Sequence, residues 1–339
     1  MPNNIQPNKL PNQQLNQQPI YDLIIVGSGP AGLTASIYAS RYRLKHLVIG
    51  KTQGGEMALS GRIENYPGFK KISGVELAKK MAEHVQDQGG KIVSATVIGV
   101  KQSEGEFEIR TDDGKIYQSK TLIIASGTER RKLNIPGEGE YVGRGVSYCA
   151  TCDGPLFKDK TIAVIGGGNA AVGGAVQIAD YAQKIYLIYR REKEKMPADP
   201  VWKEEFEKKL KEGKIIDIYQ TNLTEIKGDG QKVTSISLDK PYQGSDELKV
   251  DGVFIEVGSV PTTNLVKNLG VETDEAGYIK VNPDQSTGCP GIFAAGDITT
   301  GSNGMQQIVT ATAEGAIAAA SVYQYLHRGQ APTPSWGKG

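Results

Sequence analysis

The chain has 339 residues, of which 38% are hydrophobic and 23% are charged, and its formal net charge is +1. These values are typical of a globular protein with room for two domains, and the near-neutral charge offers no general attraction to nucleic acid or an acidic membrane. No apolar run approaches the roughly 18 residues that suggest a membrane span, so neither nucleic acid nor a membrane is an expected partner.

Residues 1–19 are rich in Asn, Gln and Pro and carry one charge, at Lys9. They lack the apolar centre of a secretory signal, so a disordered N-terminal tail is predicted, and a flexible C-terminal tail is predicted at 329–339. The chain has three cysteines, far fewer than a small secreted disulfide scaffold uses. We therefore expect a cytoplasmic protein.

A first nucleotide-binding unit is predicted at the start of the ordered chain. Tyr21 to Val26 is a nearly continuous apolar run, which favours a buried parallel strand. The glycine motif Gly27-Ser28-Gly29-Pro30-Ala31-Gly32 follows, then a predicted helix from Leu33 to Arg43 and a strand at Leu47-Val48-Ile49. A G-x-G-x-x-G turn between strand and helix lets backbone amides approach a pyrophosphate.

The segment from Val97 to Thr121 predicts β-hairpins, with turn signals at Ser103-Glu104-Gly105 and Asp112-Asp113-Gly114. A further strand is predicted from Thr121 to Gly127. These strands lead into the most informative motif of the chain.

That motif is Cys149-Ala150-Thr151-Cys152-Asp153. Two thiols at this spacing can close a redox disulfide: one attacks a partner, the other resolves the mixed disulfide, and the adjacent carboxylate can carry a proton. A zinc half-site is an alternative, but Cys289 is distant in sequence and the three histidines show no paired spacing, so no metal is predicted. Two inert buried thiols would leave Asp153 unexplained.

A second nucleotide-binding unit follows the dithiol. A strand from Thr161 to Ile165 leads into Gly166-Gly167-Gly168-Asn169-Ala170-Ala171, a helix, and a strand from Lys184 to Ile188. A nucleotide site thus stands on each side of the dithiol, which suggests electron transfer between cofactors and a disulfide.

The end of that second strand carries cations where an NAD site usually has a carboxylate. Arg190 and Arg191 suit the 2′-phosphate of NADPH, and Lys195 adds a third charge. A solvated basic turn is the alternative, since Glu192 and Glu194 lie among these cations.

After these cations, the hydrophobic pattern predicts a charged amphipathic helix from Trp202 to Lys211 and short strands from Lys214 to Val257. A strand then runs from Gly291 to Asp297, and an alanine-rich, closely packed helix from Ala311 to Tyr325. The second unit is therefore predicted to be inserted in the first: 20–130 with 260–328, and 131–259.

Together these residues resemble the low-molecular-weight thioredoxin reductases, from about Tyr21 to Leu326. The most specific marks are the first glycine motif, Glu64-Asn65-Tyr66-Pro67-Gly68, Ala125-Ser126-Gly127, Cys149 to Gly154, and Gly296-Asp297. The resemblance implies an α/β fold of two Rossmann-like, three-layer ββα nucleotide-binding domains, the second inserted in the first. It also implies a homodimer that passes electrons from NADPH through FAD to a Cys149–Cys152 disulfide and on to thioredoxin or a similar small redox protein.

The resemblance also implies the site residues. The residues implied for FAD are Gly27, Ser28, Gly29, Pro30, Ala31, Gly32, Gly54, Gly55, Glu56, Asn65, Val97, Ala125, Gly127, Gly296, Asp297, Gln306, Gln307 and Ile308. Those implied for NADPH are Gly166, Gly168, Asn169, Ala170, Arg190, Arg191 and Lys195. In the family Cys152 would face the flavin, Cys149 would attack the partner disulfide, and Asp153 would act as acid and base.

Three positions depart from the commonest family pattern. Pro155-Leu156-Phe157 stands where consecutive aromatics often help to dock thioredoxin, Gly173-Gly174 where acidic residues are common, and Gln306 where arginine is frequent. The last two leave open a different electron donor such as ferredoxin, or a small-dithiol oxidase that uses oxygen. A catalytically silent flavin-binding protein is a further alternative, although both thiols and Asp153 are present.

Overall fold

The structure is a computed structural model that describes residues 19–103 and 105–327. Apart from Pro19, the tails predicted at 1–19 and 329–339 lie outside the described residues. Within these two ranges, no helix combines the length and the apolar character that a bilayer crossing requires.

The strands of the described residues follow in chain order: β1 (Tyr21–Val26), β2 (His46–Ile49), β3 (Ile92–Val93), β4 (Val97–Ser103), β5 (Glu106–Thr111), β6 (Ile116–Ile124), β7 (Thr128–Arg130), β8 (Val146–Ser147), β9 (Thr161–Ile165), β10 (Lys184–Tyr189), β11 (Ile215–Tyr219), β12 (Leu223–Gly228), β13 (Val233–Tyr242), β14 (Ser245–Lys249), β15 (Gly252–Ile255), β16 (Ser259–Pro261) and β17 (Ile292–Ala294). The α-helices are α1 (Pro30–Arg41), α2 (Gly74–Asp87), α3 (Ala150–Asp153), α4 (Asn169–Ile178), α5 (Pro200–Lys211) and α6 (Ile308–Leu326).

The first unit is built on a seven-stranded sheet with the order β3-β2-β1-β6-β5-β4, and β17 also pairs with β6. One face of β1 packs against α1 and α6 through Leu23 and Ile25, and the other packs against the hairpin strands through Ile24 and Val26. α1 and α6 lie so close that a side chain at Gly315 would collide with the carbonyl of Ala31. The predicted close packing of the C-terminal helix is therefore confirmed.

The second unit repeats this plan with a parallel sheet in the order β11-β10-β9-β15-β8. Helices α4 and α5 cover one face through residues such as Val172 and Phe206. The antiparallel sheet β12-β13-β14 covers the other through residues such as Val233 and Ile236. Each unit thus has the three layers expected. Along the chain, the strands of the second unit follow β6 and precede β17 of the first. The exact boundaries at 130 and 260 stay a prediction.

The two chain crossings between the units run side by side. β7 and β16 pair antiparallel, with Ser259 opposite Arg130 and Pro261 opposite Thr128. Gly127 precedes β7 with φ +66° and Gly258 precedes β16 with φ +94°, conformations that glycine adopts most readily. Both connections therefore form one two-stranded ribbon.

Candidate active site

The first glycine motif forms a cradle at the start of α1. A side chain at Gly27 would collide with the carbonyl of Ala125, and one at Gly32 with the carbonyl of Gly27. Gly29 has open space around it, and no side chain caps the helix there. Uncapped amides beside an open glycine fit the pyrophosphate of a dinucleotide.

The cradle opens into a cavity of about 1060 Å³ whose lining comes from both units. From the set predicted for FAD the lining residues are Gly27, Ser28, Gly29, Pro30, Ala31, Gly55, Glu56, Asn65, Val97, Ala125, Gly127, Gly296, Asp297, Gln306, Gln307 and Ile308. Gly32 and Gly54 do not line it. Gly54 instead takes φ +87° against Ala78 and donates its N–H to the carbonyl of Ser28 at 2.8 Å.

Asp297 lies in the cavity on the turn after β17. Burial, together with the negative charges of Glu314 and Glu56, raises the pKa of its carboxyl to about 6. Glu314, on α6, accepts hydrogen bonds from the Gly296 amide at 2.7 Å and from the Thr299 hydroxyl at 3.0 Å. It therefore fixes the turn that presents Asp297. Sequence reasoning missed Glu314, because an acid inside an alanine-rich helix carries no local signal for this contact.

Three amide side chains of the cavity lining make hydrogen bonds, those of Asn65, Gln306 and Gln307. Asn65 Nδ2 donates to Gln307 Oε1 at 2.8 Å, and Gln306 Nε2 donates to the carbonyl of Asp297 at 3.2 Å. The first bond holds the start of α6 against the segment around Asn65, so the structure brings together residues that are more than 200 positions apart in the chain.

The second glycine motif forms the same kind of turn at the start of α4. Gly166 has φ +139° and packs on the backbone of Glu256, while Gly168 precedes α4 with open space and no side-chain cap. Asn169 and Ala170 line the shared cavity. Asn169 Nδ2 also donates to Asp199 Oδ2 at 2.9 Å, which joins the motif to the start of α5.

Arg190, Arg191 and Lys195 line a separate cavity of about 590 Å³ at the end of β10. Glu192 is part of the same lining, and its Oε2 lies 3.0 Å from Lys195 Nζ. Lys193 points elsewhere, with Nζ 2.6 Å from Glu207 Oε1. The cations predicted for a 2′-phosphate are thus assembled in one concave site, although Lys195 already has an ionic partner.

The paired glycines of α4 have a structural reason. A Cβ at Gly173 would lie 3.2 Å from the indole of Trp202, and a Cβ at Gly174 would lie 2.5 Å from the Cβ of Ala150. Gly174 therefore lets the dithiol turn pack closely against α4, and Gly173 leaves room for the indole of Trp202. Both glycines line the shared cavity beside the second motif.

Cys149 and Cys152 are joined in a disulfide across the first turn of α3, with their Cα atoms 5.3 Å apart. Cys149 borders the shared cavity, with Sγ 3.6 Å from the carbonyl oxygen of Leu59 in the first unit. Cys152 is exposed and lies outside the cavity lining. Its Sγ nevertheless lies 3.8 Å from the same carbonyl oxygen of Leu59, so both sulfurs contact the first unit. The roles implied for the two sulfurs stay a prediction.

Asp153 does not point freely into solvent. Its Oδ2 accepts a hydrogen bond from the hydroxyl of Ser147 at 2.7 Å, and the same Ser147 oxygen accepts the amide of Cys149 at 3.0 Å. Ser147 thus connects the acid to the first cysteine. Ser147 belongs to none of the sequence motifs.

The apolar residues after the dithiol divide into two groups. Phe157 packs edge-on against Phe254 with ring centroids 5.1 Å apart, and it belongs to the interior of the second unit. Leu156 is 78% exposed, and Pro155 is exposed as well. The exposed apolar surface beside the dithiol therefore consists of Pro155 and Leu156, without Phe157.

Two arginines join the units around the cavity. Arg62 of the first unit lies over the indole of Trp202, 5.1 Å from the ring centroid. Its Nη2 donates a hydrogen bond to Glu205 Oε1 at 3.0 Å. Arg130, at the end of β7, pairs through Nη1 with Glu256 Oε2 at 3.0 Å and lies 2.9 Å through Nε from Glu56 Oε2. The Nε–H direction does not suit a hydrogen bond to Glu56, so this second contact is an ion pair only.

Comparison with known proteins agrees with this architecture. Residues 21–315 match the family described as pyridine nucleotide-disulphide oxidoreductase. The thioredoxin reductase of Listeria innocua is 41% identical over 92% of this chain and 95% of its own length, and that of Bacillus subtilis is 40% identical over 92% and 96%. The crystal structure of Lactococcus lactis thioredoxin reductase in the FR conformation, 40% identical, superposes with a TM-score of 0.84 over 91% of this chain and 99% of that one.

Proposed function

The chain belongs to the pyridine nucleotide-disulphide oxidoreductase family, and we propose that it is a thioredoxin reductase. It uses NADPH and FAD to reduce the disulfide of thioredoxin or of a similar small redox protein. One observation carries this proposal: a single cavity runs from the first glycine cradle to the second glycine motif, and Cys149 of the Cys149–Cys152 disulfide borders it. The ferredoxin and oxidase alternatives have no comparable support.

The residues present fit both cofactors. Gly27 and Gly29, with the uncapped start of α1, would hold the FAD pyrophosphate, and Asp297 would accept a hydroxyl of its ribityl chain. The start of α4 would hold the NADPH pyrophosphate, and Arg190 and Arg191 its 2′-phosphate. When bound, the nicotinamide supplies a hydride and the flavin makes its two electrons available to the disulfide.

The chain's own chemistry is thiol–disulfide exchange. In the reduced protein the Cys149 thiolate attacks the partner's disulfide, which forms a mixed disulfide and releases one partner thiolate. The Cys152 thiolate then attacks Cys149 Sγ, which restores the Cys149–Cys152 disulfide and releases the second partner thiolate. The two protons that the Cys149 and Cys152 thiols give up end on the two released partner sulfurs, and Asp153, held by Ser147, is the group placed to carry them one at a time.

The assignment of Cys149 as attacking sulfur requires the second unit to reorient, because Cys149 borders the interior cavity in the present orientation and Cys152 is the more exposed residue. The ribbon of β7 and β16, with Gly127 and Gly258 at positive φ, supports rotation about the two connections. A crosslink between residues 62 and 205, whose side chains meet across the units, should abolish steady turnover and leave flavin reduction by NADPH intact. Unchanged turnover in the crosslinked protein would rule out the rotation.

Further proposals concern the setting of the reaction. A homodimer and a cytoplasmic location are proposed from the family resemblance and from the low cysteine count of the chain. Pro155 and Leu156, exposed beside the dithiol, are the proposed contact for the partner's apolar surface.

The function is tested by mixing FAD-loaded protein with NADPH and oxidised thioredoxin and following both NADPH consumption and new thioredoxin thiols. We expect one NADPH consumed for each thioredoxin disulfide reduced, much slower consumption with NADH, and no turnover in Cys149→Ser. Protein that binds FAD but consumes no NADPH in the presence of thioredoxin would contradict the proposal.

A further inference from the structure

Glu256 is a buried carboxylate beneath the dithiol that the exchange chemistry does not use. It follows β15, and its side chain is 3% exposed. Its Oε1 accepts the amide of Ala150, the residue after Cys149, at 3.1 Å, and its Oε2 pairs with Arg130 at 3.0 Å. One carboxylate thus joins the turn between the two sulfurs to the ribbon between the units.

A buried carboxylate needs compensation for its lost hydration, and here both oxygens have a partner. The charged groups that face it are Arg130 on β7 and Glu56 on the short 3-10 helix Gly55–Leu59. Burial raises the pKa of Glu256, while Arg130 and the Ala150 amide act in the opposite direction. Burial of a carboxylate costs free energy that burial of an apolar side chain of similar size does not, so space filling alone does not explain Glu256.

We propose that Glu256 is a positioning residue of the dithiol, which holds the Cys149-x-x-Cys152 turn in shape through the Ala150 amide and is itself held by Arg130. This inference rests on the proposed function, since the dithiol is the group that exchanges electrons with the partner. The turn is fixed at three points: Cys149 by Ser147, Ala150 by Glu256, and the Cβ of Ala150 by Gly174.

The consequence lies in how readily the disulfide closes. A turn held in shape keeps the two Cα atoms near their observed 5.3 Å after reduction, so the thiols have a high effective concentration for each other. Without the Ala150 contact the reduced turn is freer, and closing the disulfide costs more entropy. Loss of the contact should therefore shift the equilibrium from disulfide towards dithiol.

The test equilibrates FAD-loaded protein at pH 6.5, without oxygen, against mixtures of dithiothreitol and its cyclic disulfide. The protein disulfide takes up two electrons and two protons as dithiothreitol is oxidised, and mass spectrometry after alkylation gives the ratio of disulfide to dithiol. Glu256→Ala should shift the equilibrium constant about five-fold towards dithiol, the size expected for one hydrogen bond. Glu256→Gln retains an acceptor oxygen and should stay within about two-fold of the wild type.

Asp251 provides the matched control, because its Oδ2 accepts the amide of Thr161 at 2.9 Å beside the other end of β15. Asp251→Ala should leave the dithiol equilibrium unchanged. An unchanged equilibrium in Glu256→Ala, or an equal shift in Asp251→Ala, would overturn the proposal. Because the assay contains neither NADPH nor thioredoxin, it is independent of the proposed function, which fails instead if the wild type does not turn over with them.

A second measurement decides the matter if Glu256→Ala does not fold. In the background Cys152→Ser with Cys289→Ser, Cys149 is the sole cysteine of the chain, and its alkylation rate against pH gives its thiol pKa. Glu256→Gln removes a negative charge and leaves Arg130, so the pKa of Cys149 should fall by about half a unit to one unit. An unchanged thiol pKa would show that Glu256 does not act on the dithiol.

Discussion

The hydroxyl of Ser147 donates a hydrogen bond of 2.7 Å to Oδ2 of Asp153, across the disulfide that separates them in the chain. This bond fixes the direction of the carboxylate that we assign to proton transfer. Ser147→Ala should therefore reduce kcat about three- to ten-fold, within the range of a misplaced acid–base group, and leave KM for thioredoxin unchanged. Steady-state kinetics with thioredoxin measures both, and Ser245→Ala, exposed at the start of β14 in the same unit, is the control. A change confined to KM would argue against the role.

Replacement of each cysteine by serine should have a different effect on the mixed disulfide with thioredoxin. Cys152→Ser removes the resolving thiol, so reduced protein mixed with oxidised thioredoxin should accumulate a mixed disulfide through Cys149. Cys149→Ser should accumulate none. Non-reducing electrophoresis followed by peptide mass spectrometry identifies the sulfur, and the reverse pattern would exchange the two roles.

Asp297 should make the stability of the FAD-free protein depend on pH. The pKa of its carboxyl is raised to about 6 in the folded protein, above its unfolded value, so the folded state holds this proton more tightly. The stabilisation is complete below the unfolded pKa, near 3.8, and is lost as pH rises through about 6. Its size is up to about 3 kcal/mol, from about two pKa units.

Asp297→Asn removes this dependence. The variant should have the same Tm as the wild type near pH 4 and a higher Tm near pH 7.5, as measured by thermal unfolding of the FAD-free proteins. Glu272→Gln, with an exposed side chain, controls for the loss of one acid. An equal Tm difference between variant and wild type at the two pH values would show that ionisation of Asp297 does not destabilise the folded protein.

The contact of Arg62 with Trp202 and Glu205 should favour the observed orientation of the two units. Stacking and ion pair together contribute about 1–2 kcal/mol, so Arg62→Ala should expose Trp202 and shift its fluorescence to longer wavelength. The experiment uses Trp336→Phe, which leaves Trp202 as the single tryptophan. Arg110→Ala, which breaks an exposed pair with Glu108, should leave the emission unchanged.

The cations after β10 should select the phosphorylated cofactor. Replacement of Arg190 and Arg191 by alanine should raise KM for NADPH about 100-fold and barely change KM for NADH, because only NADPH carries the 2′-phosphate. Lys193→Ala is the control, since this cation of the same turn is committed to Glu207. A similar loss with both cofactors would place the arginines elsewhere in binding.

Much of the fold follows from local pattern. The apolar strands and glycine turns of both units, the hairpins of β4 to β6 and the helix α6 were all predicted from periodicity and turn residues. Helix α2 was not predicted, although Ser73 and Glu76 mark its start and the Glu76 amide donates to the Ser73 hydroxyl at 3.2 Å. The signal for the start of α2 is therefore present in the sequence, in the segment between Asn65 and Val97.

The glycine cradles and the dithiol follow from sequence because each is a contiguous motif. Glu256 and Glu314 do not, since their partners are brought to them by the tertiary fold: Ala150 lies 106 positions from Glu256, and Gly296 lies 18 positions from Glu314. The pair Gly173 and Gly174 departs from the commonest family pattern, and the structure shows that Trp202 and Ala150 require the space. Such a need is invisible until the neighbouring elements are in place.

The antiparallel pairing of β7 with β16 has a consequence for how the protein tolerates damage. Because β7 and β16 are paired, a proteolytic cut in one strand would leave the second unit connected to the first through the other strand. The cut ends would stay in register through their pairing with the intact strand. A chain with its termini relocated to this ribbon should therefore assemble the same two lobes.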